Sequence, residues 1–141
     1  IMENSVSVKK SELKPFYFDA TESPDLFPPL VALAAYCRGI STIKGVSRLI
    51  HKESNRSATL VNEFLKMNVK IETQDDDMII TGGKITGAEV CSHGDHRIAM
   101  AAAVAALASS SRVIIRDSGC VAKSYPEFFK DLRDLGAMVY E

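Results

Sequence analysis

Gly94, Asp95, His96 and Arg97 set an acid, an imidazole and a guanidinium directly ahead of an apolar run, 98–108, that contains no charge and no breaker. Such a run reads as a helix buried on all sides. Asp95 is placed to cap that helix, and Gly94 lets the chain turn sharply into it. The open N–H groups of the first turn then point the same way as Arg97, and a helix N-terminus beside a guanidinium suits phosphate or carboxylate. The simpler alternative is a capped core helix whose Arg97 makes a structural salt bridge.

Other ionic residues fall at comparable corners. Asp25 sits at or just before a second apolar helix, Lys52, Glu53 and Arg56 share one polar stretch, and Lys123 lies in another. Taken singly, each has a bland explanation. Glu53 could pair with Lys52 or Arg56 on a solvated loop, and Lys123 could be an ordinary surface lysine. Asp25 could simply complement a helix dipole, worth about 0.3–1 kcal/mol. Asp75 to Asp77 is most simply a solvated turn. His93 and His96 are three apart with no third ligand placed, which argues against a metal. Gathered at one rim, however, the lysines, arginines and carboxylates would suit an anionic substrate that needs proton transfer.

The elements that must position these residues follow from patterning. A strand is expected over 4–8, another over 16–18, then a helix opened by Ser23-Pro24-Asp25, with Pro28 and Pro29 tolerated only in its first turn. Its run 30–37 is apolar throughout, and Gly39 fits its C-cap. A strand over 40–46 and a polar loop over 47–55 lead to an amphipathic helix, 57–68. That helix carries Leu60, Val61, Phe64 and Leu65 on one face and Asn62, Glu63 and Lys66 on the other. Asn55 is its expected cap. Strands over 69–73 and 78–81 form a hairpin, and a strand over 88–91 precedes the helix at 98–108. Then come a strand, 112–116, a loop, 117–123, and a helix, 126–135, with Phe128, Phe129, Leu132 and Leu135 on one face. Gly136 caps it, and a strand over 137–140 closes the chain.

Asp25 and Asp95 lie about 70 positions apart, as do Lys52 and Lys123. That period predicts an α/β fold of two repeated β-α-β-α-β(β) units, 16–82 and 88–141. In each copy the first helix is apolar all round and the second one-sided, so one lies inside the domain and one outside.

At 141 residues, 46% hydrophobic and 25% charged, the chain can bury a core. A net charge of -1 supplies no basic field for nucleic acid or an anionic membrane. No apolar run reaches spanning length and no signal peptide is visible. Cys37, Cys91 and Cys120 form no CxxC pair, which predicts reduced thiols in a cytoplasmic setting, two of them in the core. A first residue of Ile1 rather than Met, in strand-like sequence, suggests that residues precede it.

Three motifs stand in order: KESNR at 52–56, GDHRIAM at 94–100 and AKSYP at 122–126, with Pro24-Asp25 upstream. Together they resemble the 5-enolpyruvylshikimate-3-phosphate synthases of the enolpyruvyl transferase family. The resemblance covers essentially the whole chain but only the C-terminal part of such an enzyme. It implies an inside-out α/β barrel lobe, in a family built from six small α/β units, three per lobe, with the active site between lobes. Residues 1–141 would be part of the C-terminal lobe, with the N-terminal lobe absent.

The implied reaction moves the enolpyruvyl group of phosphoenolpyruvate onto the 5-hydroxyl of shikimate 3-phosphate, with no cofactor and no metal. By the same resemblance Asp25 contacts the acceptor hydroxyl and can take its proton, Lys52 binds shikimate 3-phosphate, and Glu53 moves a proton near the methylene carbon. Arg56, Arg97 and Lys123 grip phosphoenolpyruvate, Lys123 can also relay a proton, and His96 and Asp95 support the site. Asn55 stands where the family commonly has Asp, and Ile50-His51 departs from the more basic residues often found there. The related UDP-N-acetylglucosamine enolpyruvyl transferase lacks the GDHR signature. A non-catalytic nucleic-acid-binding α/β module is opposed by the net charge. The chain alone is expected to be inactive, since half a cleft cannot clamp two anions, and its exposed apolar surface could drive self-association.

Overall fold

The computed structural model describes residues 5–9, 11–50 and 54–140. Its first half runs β1 (Tyr17–Asp19), α1 (Phe27–Tyr36), β2 (Gly39–Lys44), α2 (Arg56–Lys66), β3 (Lys70–Gln74) and β4 (Asp77–Gly82). Its second half runs β5 (Glu89–Cys91), α3 (His96–Ala106), β6 (Ile114–Arg116) and α4 (Phe128–Asp134). Short 3-10 segments at Pro24–Leu26, Val46–Leu49 and Ser118–Lys123 precede α1, follow β2 and follow β6.

β1 and β2 are parallel and joined through α1, and β5 and β6 are parallel and joined through α3. Each half is therefore a strand-helix-strand crossover followed by a second helix. In the first half β4 lies antiparallel to β2 and β3 antiparallel to β4, giving the order β1-β2-β4-β3. The hairpin between β3 and β4 closes on two residues, with Asp75 in the left-handed region at φ 54°. Asp76 in that turn is more than solvated, because its carboxylate accepts from Ser47 N at 2.8 Å.

α1 and α3 pack on each other at the centre. Val31, Ala32 and Ala35 of one and Ile98, Ala101, Ala102 and Ala105 of the other are sealed from solvent. The small side chains let two helix backbones approach closely, so both can be buried without leaving voids. Pro28 and Pro29 lie in the first turn of α1, where no intrahelical N–H is lost. Asn55 caps α2 by accepting from Ala58 N at 3.2 Å, and Gly136, at φ +99°, ends α4.

Several expectations fail. Ser5 makes only an isolated bridge and 6–8 form no strand, while Asn4 lies outside the described residues. The strand over 137–140 does not form: Met138 is 86% exposed, because alternation supplies a pattern but not a partner edge. Gly39 is not a helix cap. α1 ends at Tyr36, Cys37 turns extended at once, and Gly39 opens β2. The inward face of α2 is rotated by one position, so Leu65 is exposed and Glu63 is buried beside Leu60 and Phe64. One cysteine, Cys37, is in the core, not two; Cys91 and Cys120 are half-buried, and all three are free thiols. Among the described residues no helix is long and apolar enough to cross a membrane.

Candidate active site

The site is built on the N-terminus of α3. Gly94 has φ +73°, a conformation that a side chain would strain, and it bends the chain from β5 into the helix. Asp95 caps the helix, its Oδ1 accepting from Arg97 N at 3.0 Å. Its other oxygen, Oδ2, faces inward and accepts from Arg56 Nε at 2.9 Å and from Ser54 Oγ at 3.3 Å.

Arg56 is the first residue of α2, not a loop residue, and its side chain is 0% exposed. A buried guanidinium is tolerable only when its donors are matched by charge and geometry. Here Nε is matched by Asp95, and an Nη is matched by Asp25 Oδ1 at 2.9 Å. Asp25 lies in the 3-10 turn before α1, and its Oδ2 stands 3.1 Å from an Nη of Arg97. One chain of ion pairs thus runs Asp95, Arg56, Asp25, Arg97 across the starts of three helical elements. One end of it is sealed and the other open: Asp95 and Arg56 are buried, Asp25 is 49% exposed and Arg97 29%.

Lys123 comes in from the 3-10 turn after β6, and its Nζ donates to the Gly94 carbonyl at 3.4 Å. His96 is nearly buried, and its Nδ1 is sealed without a hydrogen-bond partner among the described residues. Beside Asp25 and Arg97 a cleft of about 310 Å³ opens, walled by Pro29, Ala32, Met100, Val104 and Phe128.

The structure therefore brings together Asp25, Arg56, Asp95, His96, Arg97 and Lys123. Lys52 and Glu53 lie outside the described residues. Among the described residues, the three cations Arg56, Arg97 and Lys123 outnumber the two carboxylates Asp25 and Asp95. The cluster joins a surface that attracts anions to a half-exposed carboxylate able to accept a proton.

Two contributors were not singled out from the sequence. Ser54 adds a donor to Asp95, which only the folded geometry reveals. Glu63, assigned to the outer face of α2, is buried: its Oε2 accepts from Cys91 N at 2.8 Å and Lys66 Nζ at 2.7 Å, and its Oε1 lies 3.0 Å from His93 Nε2. Burial pushes the Glu63 carboxyl up. The hydrogen bonds from Lys66, His93 and Cys91 N outweigh it, and the net effect holds the group below the usual glutamate range. The available signal was the spacing: Glu63 is seven positions after Arg56, on the same helix face.

Known proteins resemble this chain along nearly its whole length. Residues 2–132 match the family model described as EPSP synthase (3-phosphoshikimate 1-carboxyvinyltransferase). The chain is 41% identical over 138 residues to the 3-phosphoshikimate 1-carboxyvinyltransferase of Methanocorpusculum labreanum, covering 97% of this chain and 33% of that protein. It is 42% identical over 142 residues to the protein of the same name from Clostridium acetobutylicum, covering 100% and 33%. Among solved structures, EPSP synthase from Acinetobacter baumannii superposes with a TM-score of 0.72 at 33% identity, covering 77% of this chain and 26% of that one. The chain spans about a third of the length of the curated relatives it matches.

Proposed function

The chain belongs to the EPSP synthase family, and from that premise we propose that it supplies one side of an active site that transfers the enolpyruvyl group of phosphoenolpyruvate to the 5-hydroxyl of shikimate 3-phosphate. A proton adds to the methylene carbon of phosphoenolpyruvate while the hydroxyl oxygen bonds to its C2 and gives up its own proton. The tetrahedral adduct then loses a proton from the new methyl group and its C2–O bond to phosphate, which releases inorganic phosphate and the enol ether. No cofactor enters this scheme.

In this reading Asp25 accepts the hydroxyl proton, since it is the half-exposed carboxylate of the network. Arg97 and Lys123 hold the phosphate and carboxylate of phosphoenolpyruvate, the guanidinium as a planar fork and the ammonium as a point charge that can also relay a proton. Arg56 grips the same substrate where Asp25 Oδ1 yields its donor; otherwise it fixes the two carboxylates from behind. Asp95 and His96 support the start of α3. Lys52 takes the phosphate of shikimate 3-phosphate and Glu53 the proton at the methylene carbon, both by resemblance of the motif alone.

The observation that carries the proposal is the Asp95–Arg56–Asp25–Arg97 chain. It assembles residues from three separate motifs at one rim and needs no rearrangement to do so. We propose further that 16–82 and 88–141 are two repeats of a C-terminal lobe. In that arrangement a second lobe of a longer cytoplasmic chain completes the cleft, and the isolated chain self-associates through exposed apolar surface.

The test is phosphate release from phosphoenolpyruvate by the full-length protein. Shikimate 3-phosphate should support it, whereas UDP-N-acetylglucosamine and unphosphorylated buffer controls should not. The isolated 141-residue chain should release none. Release dependent on the amino sugar would overturn the choice of acceptor, and release by the isolated chain would overturn the two-lobe arrangement.

A further inference from the structure

α2 presents two buried charged side chains to the same neighbour. Arg56 reaches Asp95, and two turns later Glu63 reaches Cys91 and His93. The five residues 91–95 are therefore held to one helix at both ends. Between those holds the backbone takes two successive left-handed residues, His93 at φ 52° and Gly94 at φ 73°. Glycine accepts that conformation readily. Histidine adopts it less readily than glycine, so a fastening from outside the turn steadies it.

Glu63 supplies part of that fastening, beside the buried Ser92 hydroxyl, which accepts from Gly94 N at 3.2 Å and donates to the Asp117 carbonyl at 3.0 Å. One carboxylate oxygen takes the Cys91 amide, the other takes the His93 ring, and Lys66 supplies a compensating charge from the exposed side at 2.7 Å. A hydrophobic side chain would fill this place at lower desolvation cost, so packing alone does not account for a carboxylate whose side chain is 5% exposed. What the carboxylate does that an apolar group cannot is fix the direction of the turn. That direction decides where the Gly94 carbonyl receives Lys123 and where Asp95 starts α3, and hence where Arg97 points.

We infer that Glu63 is a positioning residue for the anion site, acting through the His93-Gly94 turn on Asp95, Arg97 and Lys123. The inference rests on the proposed function for its kinetic consequence, but its structural part stands without it.

Two readouts on the full-length protein separate the cases. In the first, Glu63→Ala raises KM for phosphoenolpyruvate roughly tenfold, as expected when a binding group is misplaced rather than removed. KM for shikimate 3-phosphate stays within about twofold, and Glu63→Gln, which still offers an oxygen to Cys91 N, recovers part of the loss. A purely structural role would lower the folded fraction while leaving both KM values unchanged, and that result overturns the inference. The second readout is amide hydrogen exchange. Exchange over 92–97 should quicken roughly tenfold in Glu63→Ala while the β3–β4 hairpin stays as in the parent. Unchanged exchange over 92–97 overturns the inference even if the parent protein proves to use another substrate. Absent turnover with altered exchange removes the proposed function and leaves the positioning role in place.

Discussion

Arg56 Nε and Asp95 Oδ2 stand 2.9 Å apart, and neither side chain touches solvent. The pair ties the first residue of α2 to the cap of α3. Removing Asp95 breaks this buried pair and leaves the sealed Arg56 with Asp25 as its remaining described carboxylate; breaking a buried pair costs about 3–5 kcal/mol. Asp95→Ala also takes away the cap of α3. We expect its unfolding free energy, read by urea titration, to fall by an amount in that range, with the double variant Arg56→Met/Asp95→Leu losing clearly less. Equal losses in the two would mean that the pair is not desolvated as described.

Asp25 divides its oxygens between Arg56 and Arg97. Asp25→Asn removes the only described charge that competes with an incoming anion for both guanidiniums, and it also removes the proposed base. Binding and chemistry should therefore move in opposite directions. We expect kcat to fall about 10²- to 10⁴-fold while KM for phosphoenolpyruvate does not rise. Steady-state phosphate release in the full-length protein measures both, and an unchanged kcat would exclude Asp25 as the base.

Glu63 also makes a pH-dependent contribution. Its carboxyl is held below its ordinary value, because the three hydrogen bonds to the charged form outweigh burial. A carboxylate with a depressed folded value stabilises the fold above its unfolded value, about 4.3, and the contribution is lost as pH falls through the lower folded value. The stability difference between the parent and Glu63→Gln should thus be largest near neutrality and shrink as pH drops below about 4.3. Urea unfolding across that range reads it directly. A difference that grows on acidification has the wrong sign for this account.

Gly82 ends β4 against the C-terminus of α1. A Cβ there would lie 2.2 Å from the carbonyl oxygens of both Ala34 and Cys37, whereas at Gly83 it would meet nothing within 4 Å. Backbone carbonyls cannot swing aside as a side chain can. Gly82→Ala should destabilise by about 1–3 kcal/mol or more, with Gly83→Ala close to neutral. Thermal melts of the two variants check the contrast, which depends on how closely α1 lies on the sheet.

What the sequence disclosed follows from what acts locally. The Asp95 cap, the Asn55 cap, the Gly94 turn and the hairpin through Asp75 and Asp76 each depend on residues within a few positions, and patterning finds them, although Asp77, read as part of the turn, belongs to β4. The charge-free runs of α1 and α3 likewise announce burial on most sides. Partnership over distance is different. Arg56 reads as a solvated loop arginine until Asp95, 39 positions on, is brought against it. Glu63 reads as an outward residue because its partners lie in a turn 28 to 30 positions away. The expected strand over 137–140 fails for the converse reason: its alternation is present, but no described strand pairs with it.

Arg97 carries the sharpest remaining expectation. It is 29% exposed and has an Nη 3.1 Å from Asp25 Oδ2, so it is the described guanidinium of the network that an anion can approach from solvent. Its fork can keep one nitrogen on Asp25 while another faces the ligand. A lysine at this position has a single nitrogen centre at the end of a flexible stem, and it must choose between Asp25 and the anion. Losing one charge-assisted hydrogen bond corresponds to about 1.5–3 kcal/mol, or roughly a 10- to 100-fold rise in KM for phosphoenolpyruvate. Because the fold buries the neighbouring Arg56–Asp95 pair, Arg97→Lys should leave the urea midpoint almost unchanged. A variant that loses stability but keeps its KM would make Arg97 a structural counter-ion of Asp25, and the anion would then have to be held chiefly by Lys123 and the first turn of α3.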